Sequence, residues 1–148
     1  MRIRVRTILG CLSVTLPISL YAQTTPLERL ETYVEIDTTN PPGNETRGVE
    51  FFAEILEEAG ITYETAESAP GRGNIWARLE GGDEPGLVLL HHIDVVPATP
   101  EAWVTDPLQA VVINGELYGR GTLDTKSLGI MHLEAFLALH NSGQPLNR

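Results

Sequence analysis

The chain has 148 residues, enough for one domain with a sizeable core. Ten Lys and Arg against 20 Asp and Glu give a formal charge of −10, which argues against binding a nucleic-acid backbone. The acidic balance by itself describes a solvated surface.

The first residues carry a different signal. Arg2, Arg4 and Arg6 make a basic start, Thr7 to Leu20 is mostly apolar, and Tyr21-Ala22 precedes Gln23. In outline residues 1–22 are a secretory signal peptide, although Leu20 is larger than ideal three places before the cut. The apolar run is short for a membrane span and contains Pro17, so an anchor is disfavoured. Ile8-Leu9-Gly10-Cys11 loosely matches a lipoprotein box but lies too early in the apolar run. Without the three leading arginines, seven cations face 20 acids over residues 23–148, a balance of −13. Cys11 is the only cysteine, so residues 23–148 have neither a disulfide nor a thiolate to offer. Any metal there must be held by His, Asp or Glu. The expected location is periplasmic or secreted.

From Thr25 the elements follow one another closely. Thr25-Pro26 is an N-cap with Pro at the first helical position, and Leu27, Leu30 and Val34 recur at helical spacing. Thr38 to Asn44 is rich in turn residues. Asn44-Glu45-Thr46 matches a glycosylation sequon, which carries no weight behind a bacterial-looking leader. A second helix is predicted over about Thr46 to Ala59, with Val49, Phe52, Ile55, Leu56 and Ala59 on one stripe and Gly60 as its stop. Ile61, Tyr63 and Thr65 alternate as a strand does, and so do Ile75, Ala77 and Leu79 beyond the loop Ser68–Gly73. Gly81–Gly86 is a turn. Leu87 to Leu90 is a continuous apolar run, as in a strand buried on both faces. Val111 to Tyr118 is a hairpin closed by Asn114-Gly115. A last helix runs from about Ser127 to Asn141, with Leu133, Phe136, Leu137 and His140 on one side and Gly143 at its end. Helices alternating with strands predict an α/β layered domain. Such a domain, stopping at Arg148 just after a helix, is expected to be unfinished.

The chemistry gathers between Leu87 and Lys126. The apolar run leads straight into His92-Ile93-Asp94, and Asp124 follows 32 positions after His92, past Gly119-Arg120-Gly121. In open α/β sheets ligands gather at the carboxyl ends of strands. An imidazole and carboxylates there suit zinc. Asp94, two residues beyond His92, has the phase to accept the other ring N–H and fix the tautomer. Strand alternation turns His91 the opposite way, so His91 is structural. Asp124 alone has an ordinary alternative as the N-cap of the last helix. Gly-Arg-Gly lacks the third glycine of a dinucleotide fingerprint and follows a hairpin, so no nucleotide site is expected. Trp103, Asp106 and Pro107 have an easy alternative as a packed loop.

Taken in order, His92-x-Asp94-Val95-Val96-Pro97, then Trp103, Asp106-Pro107, the Asn114-Gly115 hairpin and Tyr118-Gly-Arg-Gly-x-x-Asp124-x-Lys126 form one specific pattern. It resembles the zinc-dependent family of aminoacylases, acetylornithine and succinyl-diaminopimelate deacylases, and glutamate-type carboxypeptidases. The resemblance begins near Leu27, takes in Asp37–Gly43 and runs to the end. It implies that residues 23–148 are the N-terminal part of a three-layer α/β/α zinc-hydrolase catalytic domain with a mixed sheet. It implies two zinc ions, with cobalt or manganese as substitutes. His92 matches a ligand of one zinc, Asp94 the catalytic acid that orients that imidazole, and Asp124 the carboxylate that bridges both ions. It also implies a cis peptide bond at Asp124-Thr125. The family's later Glu-Glu pair, one further acid, one further His and its lid and dimerisation domain cannot be placed in this sequence. A homodimer would form only through that absent domain. Leu108, Thr125 and Ser127 depart from the residues usual in the pattern, which bears on efficiency more than on identity.

The implied activity is hydrolysis of a peptide or amide bond. The leader favours an exported carboxypeptidase. A deacylase of N-acyl amino acids is the alternative, and a non-catalytic fragment without the later ligands is a third. The general base is expected beyond Arg148, so this chain alone is expected not to turn over peptides or N-acyl amino acids.

Overall fold

A computed structural model describes residues 24–148. Residues 1–22, expected from sequence to be a signal peptide, and with them Cys11, lie outside the described residues. Helix α1 (Pro26–Glu35) begins as expected and is capped more fully than Thr25-Pro26 alone indicates: Glu28 N–H donates to the Thr25 hydroxyl, and the Thr25 N–H donates to the Glu28 carboxylate. This reciprocal cap satisfies two backbone donors that a helix start otherwise leaves open. Helix α2 (Glu45–Glu58) stops at Gly60, whose φ is +69°. Strands β1 (Tyr63–Glu67) and β2 (Gly73–Ala77) pair antiparallel, with Thr65 opposite Ile75. Strands β3 (Val111–Ile113) and β4 (Glu116–Tyr118) form the expected hairpin, whose turn residues Asn114 and Gly115 both have positive φ. Both positive values are what a two-residue turn of the mirror-image type requires. Helix α3 (Ser127–Ser142) ends at Gly143 with φ +61°.

The core lies where the three helices meet. Tyr33 of α1, Phe52 and Leu56 of α2, Ile61, and Ile130, Leu133 and Leu137 of α3 are all buried together. Tyr33 is flanked by two rings, stacked on Phe51 at 5.1 Å and edge-on to Phe52 at 5.0 Å. Ile75 of β2 packs against the same cluster from the hairpin side. The apolar stripes predicted for α2 and α3 therefore face one another, with α1 closing the third side.

One expectation fails. Leu87 to Leu90 forms no strand, and its side chains are 73%, 79%, 39% and 77% exposed. A run of leucines and valines records a need for burial. Meeting that need takes strands on both sides, and no described residue pairs there. The mixed sheet is likewise not assembled. The described residues form two separate two-stranded antiparallel sheets, and the parallel element is a single bridge between Thr39 and Val95. In that bridge Val95 N–H donates to Thr38 O at 3.1 Å and Asn40 N–H donates to Val95 O at 2.9 Å. The bridge sets the turn-rich segment after α1 alongside Ile93–Val95, just past His92.

Candidate metal centre

His92, Asp94 and Asp124 come together at one cleft of about 160 Å³, which Trp103 and Gly119–Leu123 also line. His92 Nε2 is 3.0 Å from Asp124 Oδ1. Its Nδ1 is 2.9 Å from Asp94 O and 3.2 Å from Asp94 Oδ1. The ring is thus held between two acceptors on the Asp94 side and one carboxylate on the Asp124 side. Burial alone would push the His92 pKa down. The hydrogen bond to Asp124 and the bonds and charge of Asp94 outweigh it, and the pKa is raised.

His91 faces the other way, as strand alternation requires. Its ring meets Phe52 at 5.3 Å and lies edge-on to Tyr33 at 6.3 Å. It also fills the space beside Gly129, where no Cβ could fit. Burial first, then the charges of His132 and His92, push its pKa down to about 4. His91 is a neutral packing residue at ordinary pH.

The approach to Asp124 depends on close backbone contacts. Gly121 has φ +92°, and a Cβ there would sit 2.8 Å from Val95 Cγ1. The chain then passes through a distorted turn, Thr122–Lys126, in which Asp124 and Thr125 have non-helical torsions. The Asp124-Thr125 bond is cis. Asp124 does not cap α3, which has no side-chain cap bond, so that alternative for the residue is set aside. Its side chain is 85% exposed and turned to the cleft.

Two groups that the sequence reading left without a role anchor this turn and its neighbour. Lys126 is only 1% exposed, and its ammonium donates to Tyr33 O at 2.7 Å, Ile36 O at 2.6 Å and, at longer range, Val34 O at 3.4 Å. It also lies 4.8 Å over the Tyr33 ring. These carbonyls belong to the end of α1, which has no basic residue in its own last turn. Burial holds the Lys126 pKa down to about 8 despite the partly offsetting charge of Asp37. Arg120 lies over Trp103 at 5.0 Å and donates to Pro97 O at 3.3 Å, so the Gly-Arg-Gly arginine clamps the loop beside the cleft. Trp103 is half-buried in the loop beside the cleft, and Asp106, exposed, accepts from Leu108 N–H at 2.9 Å.

Residues 88–148 match peptidase family M20/M25/M40. Over these residues the chain is similar to this family. The succinyl-diaminopimelate desuccinylase of Xylella fastidiosa (strain M23) is 43% identical over 95 residues, which is 62% of this chain and 25% of that protein. Aminoacylase-1 of Dictyostelium discoideum is 35% identical over 120 residues, 78% of this chain and 29% of that protein. The crystal structure of human carnosine dipeptidase 1 superposes with a TM-score of 0.52 at 26% identity, covering 77% of this chain and 28% of the dipeptidase. The α/β arrangement is accordingly the N-terminal part of such a hydrolase domain. The chain spans between a quarter and a third of the length of these relatives.

The donor set fits a zinc-like ion. An imidazole Nε2 and a carboxylate oxygen 3.0 Å apart present to one cleft, while the far ring nitrogen is held by Asp94. Zn–N and Zn–O bonds near 2 Å bring neighbouring ligand atoms to roughly 3 Å from one another. Among the described residues no group of three or more His, Cys, Asp and Glu is placed to hold a metal ion.

Proposed function

We propose that this chain contributes His92 and Asp124 as ligands, and Asp94 as the residue that orients His92, to a metal centre that hydrolyses a peptide or amide bond. The observation that carries this is the meeting of His92 Nε2 and Asp124 Oδ1 at 3.0 Å across one cleft in a chain similar to this peptidase family. Zinc, when bound, supplies Lewis acidity that polarises a scissile carbonyl and makes water acidic near neutral pH. Asp94 keeps the proton on Nδ1, so that Nε2 turns its lone pair to the cleft. Asp124, 85% exposed, would supply a carboxylate ligand and negative charge at the open side of the pocket. Two zinc ions are the proposed complement, with cobalt or manganese as substitutes.

The substrate class is a peptide or an N-acyl amino acid. The favoured subclass is an exported carboxypeptidase, supported by the basic and apolar start of the sequence. The desuccinylase and aminoacylase names among the relatives support the deacylase reading of the same centre. With only two donors placed, the chain by itself holds an ion weakly and leaves both substrate types intact. General acid–base help is worth roughly 10²–10⁴-fold and needs a base that these residues do not supply.

Zinc titration against a chromophoric chelator tests the centre. The chain is expected to bind zinc and to lose that binding in His92→Asn and in Asp124→Asn. Equal affinity in all three proteins would remove these residues from the centre. Zinc-dependent hydrolysis by the purified chain, at the rate of a complete enzyme, would overturn the claim that it is incompetent alone. The subclass is read by expressing the gene and assaying dipeptides and N-acyl amino acids in cytoplasmic and exported fractions. Cleavage confined to N-acyl amino acids would replace the carboxypeptidase with the deacylase.

A further inference from the structure

Behind Asp94 lies a line of polar groups that ends in the turn after α1. Asn40 Nδ2 donates to Asp94 Oδ2 at 3.0 Å. That leaves Asp94 Oδ1 for His92 Nδ1, 3.2 Å away. On its other side Asn40 Oδ1 accepts from Arg72 Nη1 at 3.4 Å. Arg72 Nε lies 2.9 Å from Oε1 of Glu45, whose side chain is 8% exposed, so the guanidinium is held by charge against the start of α2. The amide of Asn40 suits this position, because it donates to a carboxylate on one side through its nitrogen and accepts from a guanidinium on the other through its oxygen. An Asp there would set two carboxylates together.

The backbone is arranged for this line. The Thr39–Val95 bridge and the bond from the Thr38 hydroxyl to Ile93 O at 2.8 Å fix residues 38–40 alongside 93–95. Gly43 has φ +99°, and a Cβ there would collide with Cδ of Arg72, so its lack of a side chain opens the path by which Arg72 reaches Asn40 and Glu45.

We infer that Asn40, backed by Arg72 and Glu45, is a positioning residue that fixes the Asp94 carboxylate and through it the ring plane and tautomer of His92. The inference rests on the reading of His92 as a metal ligand and extends it three residues outward. The direct partner of a ligating histidine, here Asp94, typically changes metal affinity 10–100-fold when lost, and that sets the ceiling for a residue acting through it.

The test is a double-mutant cycle on zinc affinity, run on the full chain with the urea midpoint recorded for each protein. Asn40→Ala is expected to weaken zinc binding measurably, by no more than the roughly 10–100-fold expected of Asp94→Ala, with little shift of the midpoint. In an Asp94→Ala background the same change is expected to have no further effect, because Asn40 acts through Asp94. Should Asn40→Ala fail to fold, Asn40→Ser keeps the turn with a hydroxyl too short to reach Asp94, and the same loss is expected. An equal loss in both backgrounds, or no loss in either, would overturn the inference. A second readout separates it from the metal reading. In the metal-free chain, the His92 Nδ1–H resonance is expected to lose its hydrogen-bonded shift in Asn40→Ala as it does in Asp94→Ala. If wild type binds no zinc and this loss is seen, the metal reading falls and the positioning stands. If the resonance is unchanged in Asn40→Ala, the positioning is wrong whatever zinc does.

Discussion

Replacing Lys126 by methionine isolates the one buried ammonium that ties the Asp124 turn to α1. Methionine fills much the same channel but donates nothing. Two of the lysine's bonds, 2.6 Å to Ile36 O and 2.7 Å to Tyr33 O, are short, and bonds from a charged donor are worth about 1.5–3 kcal/mol each. Together they contribute about 3–6 kcal/mol. Against this stands desolvation: a pKa held down to about 8 from 10.5 corresponds to about 3 kcal/mol at about 1.4 kcal/mol per unit. The net value of the lysine is therefore about 0–3 kcal/mol. The methionine variant adds a second loss, because the end of α1 is left with buried carbonyls that cost about 1–3 kcal/mol each when unpaired. Allowing for partial relaxation, Lys126→Met is expected to destabilise the chain by about 2–4 kcal/mol. At roughly 2–4 °C per kcal/mol for a chain of this size, the melting temperature falls by about 4–16 °C. Urea unfolding followed by tryptophan fluorescence at pH 7 measures the first, and thermal circular dichroism the second. A change under about 0.5 kcal/mol would mean that the three carbonyls find water once the ammonium leaves, and that the turn is held by packing alone.

Two further outcomes follow from the core and from the paired histidines. Leu133→Ala, at a site 7% exposed between three helices, is expected to cost about 2–5 kcal/mol in urea unfolding, and a loss under 1 kcal/mol would show that the helices close over the space. His91, with its pKa held down to about 4, binds fewer protons folded than unfolded, so stability should fall as pH drops from about 6.5 towards 4. Discounted for partial exposure, this amounts to on the order of 2 kcal/mol. His92 has the opposite sign: its stabilisation is complete below the unfolded pKa and is lost as pH rises through its raised value. The His91 effect is the difference in pH dependence between wild type and His91→Phe, and identical profiles would refute it.

The helices, the Asn114-Gly115 hairpin and the side to which each histidine turns were legible because their causes are local. Capping at Thr25, the stripe Val49–Phe52–Leu56, the Asn114-Gly115 turn and the two-residue alternation of His91 and His92 each lie within a few residues of what they specify. Leu87 to Leu90 misled for the complementary reason. Its composition states that it should be covered, but what covers it is a property of other strands, and the described residues supply none. The site divides in the same way. His92, Asp94 and Asp124 stand in a recognisable order along the chain. Asn40 and Lys126 do not announce themselves, because one reaches Asp94 across 54 residues and the other reaches carbonyls 90 or more residues away. In sequence an asparagine before two prolines is a turn residue, and a lysine at the start of a helix is a solvated one. A buried lysine is uncommon enough that its default reading is solvent. Its burial here becomes intelligible only once the end of α1 is seen to lack a basic residue of its own, which leaves carbonyls for a distant ammonium to satisfy. The turn that carries Asp124 is thereby fastened to a helix end far from it in sequence, and the carboxylate is aimed by what lies two residues beyond it.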